Sequence, residues 1–212
     1  MDVVAIEETL DRDNLLPWWK NPATIALMIV VIVFISMGIG YTIGQKSSAL
    51  SHNEVDTGFL QDMRIHHEQA VAMSTIYLAV ASDENITLRE IARQIILDQS
   101  MEGGRMVQLL RILNEAETNE SDQVMAWMGT PLPLAKMPGY ATDAEMEKLS
   151  LSRGTDADTL FAQMMIAHHE GAIHMADFAS TKGTNAEVVA FARSVLSAQA
   201  GEINELRRVA KL

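Results

Sequence analysis

Residues 56–80 read DTGFLQDMRIHHEQAVAMSTIYLAV, and residues 158–180 read DTLFAQMMIAHHEGAIHMADFAS. Asp56, Phe59, Met63, His66, His67, Glu68, Ala70 and Met73 match Asp158, Phe161, Met165, His168, His169, Glu170, Ala172 and Met175, each at an offset of 102 residues. In both stretches apolar residues recur at alternating steps of about four and three, the pattern of one buried helix face. The first seam is Phe59, Met63, His66, Ala70, Met73, Tyr77; its counterpart is Phe161, Met165, His168, Ala172, Met175, Ala179.

A further amphipathic helix is expected after each. Thr87–Glu115 carries the seam Leu88, Ile91, Ile95, Gln99, Glu102, Met106, Leu109, Leu113, and Asn185–Lys211 carries Val188, Ala192, Val195, Gln199, Glu202, Leu206, Val209. Thr87-x-x-Glu90 and Thr184-x-x-Glu187 have the form of capping boxes, in which the hydroxyl accepts from a free helical N–H and the Glu answers back. A helix pair buries only one stripe, so two such hairpins pack naturally as an all-α four-helix bundle. The expected organisation is repeat one over 56–117, a linker over 118–155 and repeat two over 156–212. Pro131, Pro133, Pro138 and Gly139 break the linker, leaving room for short helical turns at Met125–Met128 and Asp143–Leu149.

Each seam is apolar except at its middle. One helix of each pair offers His66 or His168, with His67 or His169 one step round; the other offers Gln99 and Glu102 or Gln199 and Glu202. Burying such groups unpaired costs on the order of 1–3 kcal/mol each. The same violation in four helices at one level points to a shared polar site. The candidate ligands are His66, His67, His168 and His169 with Met63, Met73, Met165 and Met175. Met63 is an i, i+3 neighbour of His66 and an i, i+4 neighbour of His67. Met63 and Met73 are about 15 Å apart along the axis, so separate sites or ligands shared across helices are needed. Ala70 and Ala172 leave space in the seam.

Imidazole suits copper, zinc, iron and nickel, whereas thioether selects copper(I). Di-iron bundles place Glu-x-x-His on two helices; here the pattern is Met63-x-x-His66 and Met165-x-x-His168, which shifts the expected metal from iron to copper, with another transition metal as the alternative. Glu102 and Glu202 are possible ligands or acceptors that fix imidazole tautomers. Gln99 and Gln199 are expected as hydrogen-bond partners, and His174, found in one repeat only, as a possible extra ligand. Glu68 and Glu170 point away from the seam, His52 is incidental, and Met125, Met128, Met137 and Met146 read as linker packing.

The 14 Met exceed the 5 Phe, and there is no Cys, which removes disulfides and thiolate metal sites. A net charge of −12 argues against a nucleic-acid partner. Residues 23–44 are apolar and uncharged, and about 20 such residues cross a bilayer as a helix. Trp18, Trp19 and Tyr41 flank them as interface aromatics do. A cleaved signal peptide is the competing reading, but residues 1–22 form a long acidic tail (Asp2, Glu7, Glu8, Asp11, Asp13), where signal peptides are short and basic. Arg12 and Lys20 before the span, against Lys46 after it, place the N-terminus in the cytoplasm and the C-terminal domain in the periplasm or outside. Residues 45–55 read as a tether.

The two repeats resemble the family named domain of unknown function 305, DUF305, over Asp56–Leu212. The resemblance rests on the Asp-x-x-Phe, Met, His-His, Ala, Met helix, the Gln-x-x-Glu helix, and Trp127, Met137-Pro138-Gly139, Asp143, Met146, Leu149 and Gly154 of the linker. It implies a ferritin-like four-helix bundle associated with copper binding or copper tolerance outside the cytoplasm. Two positions depart from the pattern: Tyr140 stands where the family often has a second Met after the linker Gly, and Met106 becomes Leu206. The expected function is a single-pass, membrane-anchored protein that binds copper(I) for buffering, sequestration or tolerance. Alternatives are a ferritin-like metal-dependent oxidase, with Glu102 and Glu202 bridging harder ions, and a metal-free helical interaction module. No catalytic residue is assigned.

Overall fold

The computed structural model describes residues 17–47 and 51–211. The acidic residues expected in the N-terminal tail, and Arg12 with them, lie outside the described residues, as do 48–50 of the tether. The chain divides into two compact units, residues 1–48 and 49–212.

The first unit contains α1 (Pro22–Ser47), preceded by a short 3-10 turn, Trp18–Lys20. Pro22 takes the first helical position, where a missing N–H costs nothing, and Asn21 Oδ1 accepts from Ala23 N at 3.0 Å. Pro22–Tyr41 has a mean hydropathy of 2.6 and none of it is buried. This is one N-terminal apolar helix long enough to cross a bilayer.

The second unit is all-helical: α2 (Glu54–Val80), α3 (Ile86–Leu113), α4 (Asp143–Leu151), α5 (Gly154–Lys182) and α6 (Ala186–Ala210). The four long helices form two hairpins, α2–α3 and α5–α6, joined by the linker. It contains α4 and 3-10 turns at Ala126–Met128 and Leu134–Lys136. Helix ends agree with the sequence reading to about one turn. Two expected capping boxes do not form. Asn85 caps α3 instead, its side chain accepting from Leu88 N at 3.2 Å, so the helix already runs through Thr87. Asn185 caps α6, accepting from Glu187 N and Val188 N at 3.1 and 3.2 Å. The Asn side chain reaches the free N–H groups first in each case.

Thr184 is diverted to another task. Its N–H and its hydroxyl both donate to Asp56 Oδ2 at 3.0 Å, as does Asn185 N. Asp56 also closes a capping box with Asn53 at the start of α2. Its counterpart Asp158, in α5, accepts at Oδ1 from Tyr77 OH (2.8 Å) and Ser82 N (3.1 Å) at the end of the first hairpin. Each hairpin thus sends a buried carboxylate into the turn of the other. Tyr77 stacks on Phe161 at 4.1 Å, and Asn53 Nδ2 donates to the Lys182 carbonyl at 2.9 Å, which fixes α2 and α5 as antiparallel neighbours. The last residues of the expected tether are therefore part of the bundle: Asn185 Nδ2 donates to the Ser51 carbonyl at 3.1 Å, and His52 Nε2 lies 2.8 Å from Glu115 Oε1.

The linker docks where the two matched helices differ. Gly58, Asp62 and Gln69 of α2 correspond to Leu160, Met164 and Gly171 of α5. Trp127 lies on Gly58, where a Cβ would stand 2.3 Å from the indole. Asp62 Oδ2 accepts from Trp127 Nε1 and Met125 N, both at 2.7 Å. Gln69 exchanges two hydrogen bonds of 2.7 Å with the Ala141 backbone. On α5, Gly171 lets Pro138 cross: a Cβ there would be 2.0 Å from the Pro138 oxygen. Gly139 has φ +76, and its own Cβ would meet the Ala167 carbonyl at 2.5 Å, so only glycine fits this crossing.

Candidate metal centre

The middle of the bundle is polar, as the broken seams require. His66 and His168 are fully buried and face each other across α2 and α5, ring centroids 3.7 Å apart and planes inclined by 32°. Their flanks are apolar clusters. One contains Met63 and Met175 with Phe59, Met106 and Phe191; the other contains Met73 and Met165 with Tyr77 and Phe161. All four of these Met are fully buried. A thioether of α2 and one of α5 therefore share each side of the histidine pair. Met63 and Met73 thus fall on opposite sides of the pair.

His67 and His169 are also buried and point toward the second helix of their own hairpins. His67 Nε2 lies 2.7 Å from Glu102 Oε2, and His169 Nε2 lies 2.5 Å from Glu202 Oε2. In a neutral imidazole that donates from Nε2 to a carboxylate oxygen, Nδ1 carries the lone pair. His66 Nε2 donates likewise to the Pro138 carbonyl at 3.2 Å, again leaving Nδ1 as the base. The Nδ1 atoms of His66, His67, His168 and His169 are all buried without a hydrogen-bond partner, and His168 Nε2 is too. Buried polar atoms without protein partners are rare and call for an explanation, such as strain, a water or an ion.

Burial keeps the central pair neutral. Burial lowers the His66 pKa to about 3; nearby His67 and His169 add to this, while the Pro138 carbonyl opposes it. Burial also holds His168 well below the ordinary imidazole value, helped by His66, His169 and His67 and opposed by the His66 backbone. A neutral imidazole is the metal-binding species.

Glu102 and Glu202 are only partly buried and sit on the rim, their carboxylates held by the outer histidines. Gln99 and Gln199, expected to be hydrogen-bond partners, have no partner at either amide atom although both are 2% exposed. Together with Asp98 and Met101 these four residues line a cleft of about 200 Å³ between α3 and α6. His174 is exposed and stands apart from the buried group. Glu68 pairs with Arg64, and Glu170 with Arg207, both on the surface. Tyr140, beyond the linker glycine, brings its ring within 6.5 Å of His66. Among the described residues no three His, Asp or Glu side chains are placed to hold one ion together.

Sequence reasoning did not find the roles of Asp56, Asp158, Pro138 or Gly171. The repeat match of Asp56 with Asp158 was a signal for the first two. Nothing local marks a backbone carbonyl 72 residues away as a histidine partner.

The family model described as Domain of unknown function (DUF305) matches residues 56–210. Among solved structures, a DUF305 protein from Streptomyces coelicolor is 35% identical with a TM-score of 0.67, the match covering 73% of this chain and 91% of that one. A DUF305 fragment from Deinococcus radiodurans is 26% identical with a TM-score of 0.62, covering 76% and 98%. CopM in its Cu(I)-bound form is 25% identical with a TM-score of 0.52, covering 72% and 93%. No curated protein matches. The chain belongs to the DUF305 family.

Proposed function

We propose that this DUF305 protein is a membrane-anchored metal-binding protein that holds copper(I) outside the cytoplasm, buffering or sequestering it. The observation that carries the reading is the set of four buried imidazoles whose Nδ1 atoms all lack a partner. Two of them are oriented by carboxylates, the usual arrangement around a metal-binding histidine. Burial keeps the central pair neutral, and the thioethers of Met63, Met175, Met73 and Met165 flank it. Imidazole with thioether is a soft donor set, and thioether favours copper(I) over harder ions. The similarity to CopM, solved in a Cu(I)-bound form, supports the same metal. The ferritin-like oxidase reading has less support, because Glu102 and Glu202 are already engaged by His67 and His169. The apolar α1 would anchor the chain, with the charges of Arg12 and Lys20 keeping the N-terminus inside.

The test is a copper(I) competition titration of the full chain in detergent against a chromogenic chelator. Wild type should bind copper(I) tightly with its helicity retained. Replacing both His66 and His168 with leucine should weaken binding by roughly tenfold or more, the range seen when metal-site partners are lost. Equal affinity in the double variant, or no copper(I) binding by wild type, refutes the proposal.

A further inference from the structure

The two hairpins present their outer histidines differently. In the first, a groove of about 310 Å³ runs between α2 and α3, lined among others by Arg64, His67, Val71, Gln99, Gly103 and Gly104. At Gly103 and Gly104 an added Cβ would meet nothing within 4 Å, so the missing side chains are what keep the groove open. Two groups at its inner wall are buried and unsatisfied: His67, 1% exposed, with Nδ1 unpartnered, and Gln99, 2% exposed, with both amide atoms unpartnered. In the second hairpin the matching positions of α6 hold Ile203, Asn204 and, in place of Val107, Arg207. Ile203 is buried in the core, 6% exposed. Arg207 Nη2 reaches from α6 to Glu170 Oε1 on α5 at 2.8 Å. The equivalent Glu68 turns instead to Arg64 on its own helix and leaves the groove unbridged.

We propose that the α2–α3 groove over Gly103 and Gly104 is the port through which a soft metal ion reaches and leaves the buried histidines, so that the His67 side exchanges metal and the His169 side is closed. The inference rests on the metal-binding reading above and adds a direction to it. At the mouth Glu68 is paired with Arg64, and behind it Glu102 Oε2 lies 2.7 Å from His67 Nε2. Gln99 offers an amide oxygen to an ion on its way in, and its lack of a protein partner leaves that oxygen available. A port alters how fast the ion moves between solvent and site, and leaves the end states and therefore the affinity alone.

Two measurements on the full chain in detergent test this. The first needs no metal. Diethyl pyrocarbonate acylates a neutral imidazole at its lone-pair nitrogen, and peptide mass spectrometry reads each histidine separately. His67 should be labelled roughly tenfold faster than His169, since local access sets the rate. Gly103→Ile should remove that difference, and the pair Ile203→Gly and Arg207→Val should speed labelling of His169. The second follows copper(I) release to a chromogenic chelator. Gly103→Ile should slow release by roughly tenfold at unchanged affinity, the pattern of a change in rates alone. The Gly103 variant is expected to fold, because its side chain enters open space, and circular dichroism verifies this. Equal labelling of His67 and His169 in wild type overturns the port, as does wild-type release from a copper-loaded Gly103→Ile variant. If no variant binds copper(I), the proposed function fails and the port fails with it; if copper binds but release is unaltered, the port alone fails.

Discussion

Gly171 and Gly201 both sit inside long helices, yet alanine should act on them with opposite sign. In an open helical position, Gly→Ala stabilises by about 0.4–1 kcal/mol, mostly by restricting the unfolded chain. Gly201 is such a position: a Cβ there would meet nothing within 4 Å. At Gly171 the same Cβ would stand 2.0 Å from the Pro138 oxygen, 2.4 Å from its carbonyl carbon and 2.9 Å from Gly139 N. All three are backbone atoms, so no side-chain rotation relieves the overlap. The linker has to withdraw by about 1 Å or more, and overpacking of this kind costs about 1–3 kcal/mol. Withdrawal also pulls the Pro138 carbonyl from His66 Nε2, now 3.2 Å away, and a lost hydrogen bond costs about 0.5–1.5 kcal/mol. Set against the propensity gain, Gly171→Ala should lower stability by about 1–3 kcal/mol, whereas Gly201→Ala should raise it slightly. Urea unfolding of the metal-free full chain, followed by circular dichroism, measures both. A Gly171→Ala protein as stable as Gly201→Ala would refute the claim that the linker backbone rests on α5.

Two further outcomes follow from the buried charges and imidazoles. His66 and His168 have folded-state pKa values below the ordinary 6.5, His66 at about 3. The unfolded state therefore takes up more protons in acid, and stability rises with pH across the window between those values. The metal-free protein should lose about 1.4 kcal/mol per pH unit for each such histidine as pH falls below 6.5. Thermal unfolding at pH 7 and pH 5 checks this against His66→Leu, in which the acid loss should shrink; an equal loss in the variant counts against the buried neutral imidazole. Asp56→Ala removes the acceptor for Asn53 N, Thr184 N, Thr184 Oγ1 and Asn185 N. Leaving such donors unsatisfied should cost about 2–4 kcal/mol in urea unfolding, and a cost below about 0.5 kcal/mol, typical of a surface change, would contradict the reciprocal tie between hairpins.

The sequence by itself determined which stretches are helical, which face of each is buried, and where four seams break at one level. Those are local properties: helical period and residue polarity, readable without knowing any neighbour. It singled out His66, His168, Gln99 and Glu102 as anomalies because an apolar stripe makes a polar residue conspicuous. It misplaced the caps at Thr87 and Thr184, since Asn85 and Asn185 compete for the same N–H groups and Asp56 comes from another hairpin. The seam did not say which histidine Glu102 would meet; only the rotation of α3 against α2 brought it to His67. The same packing decided that Met63 shares a side with Met175 and Met73 with Met165. The Pro138 carbonyl, the crossing at Gly171 and the groove over Gly103 depend on how the linker and helices approach one another. Such contacts join residues far apart in the chain, so no periodicity encodes them, and only tertiary structure could bring them into view.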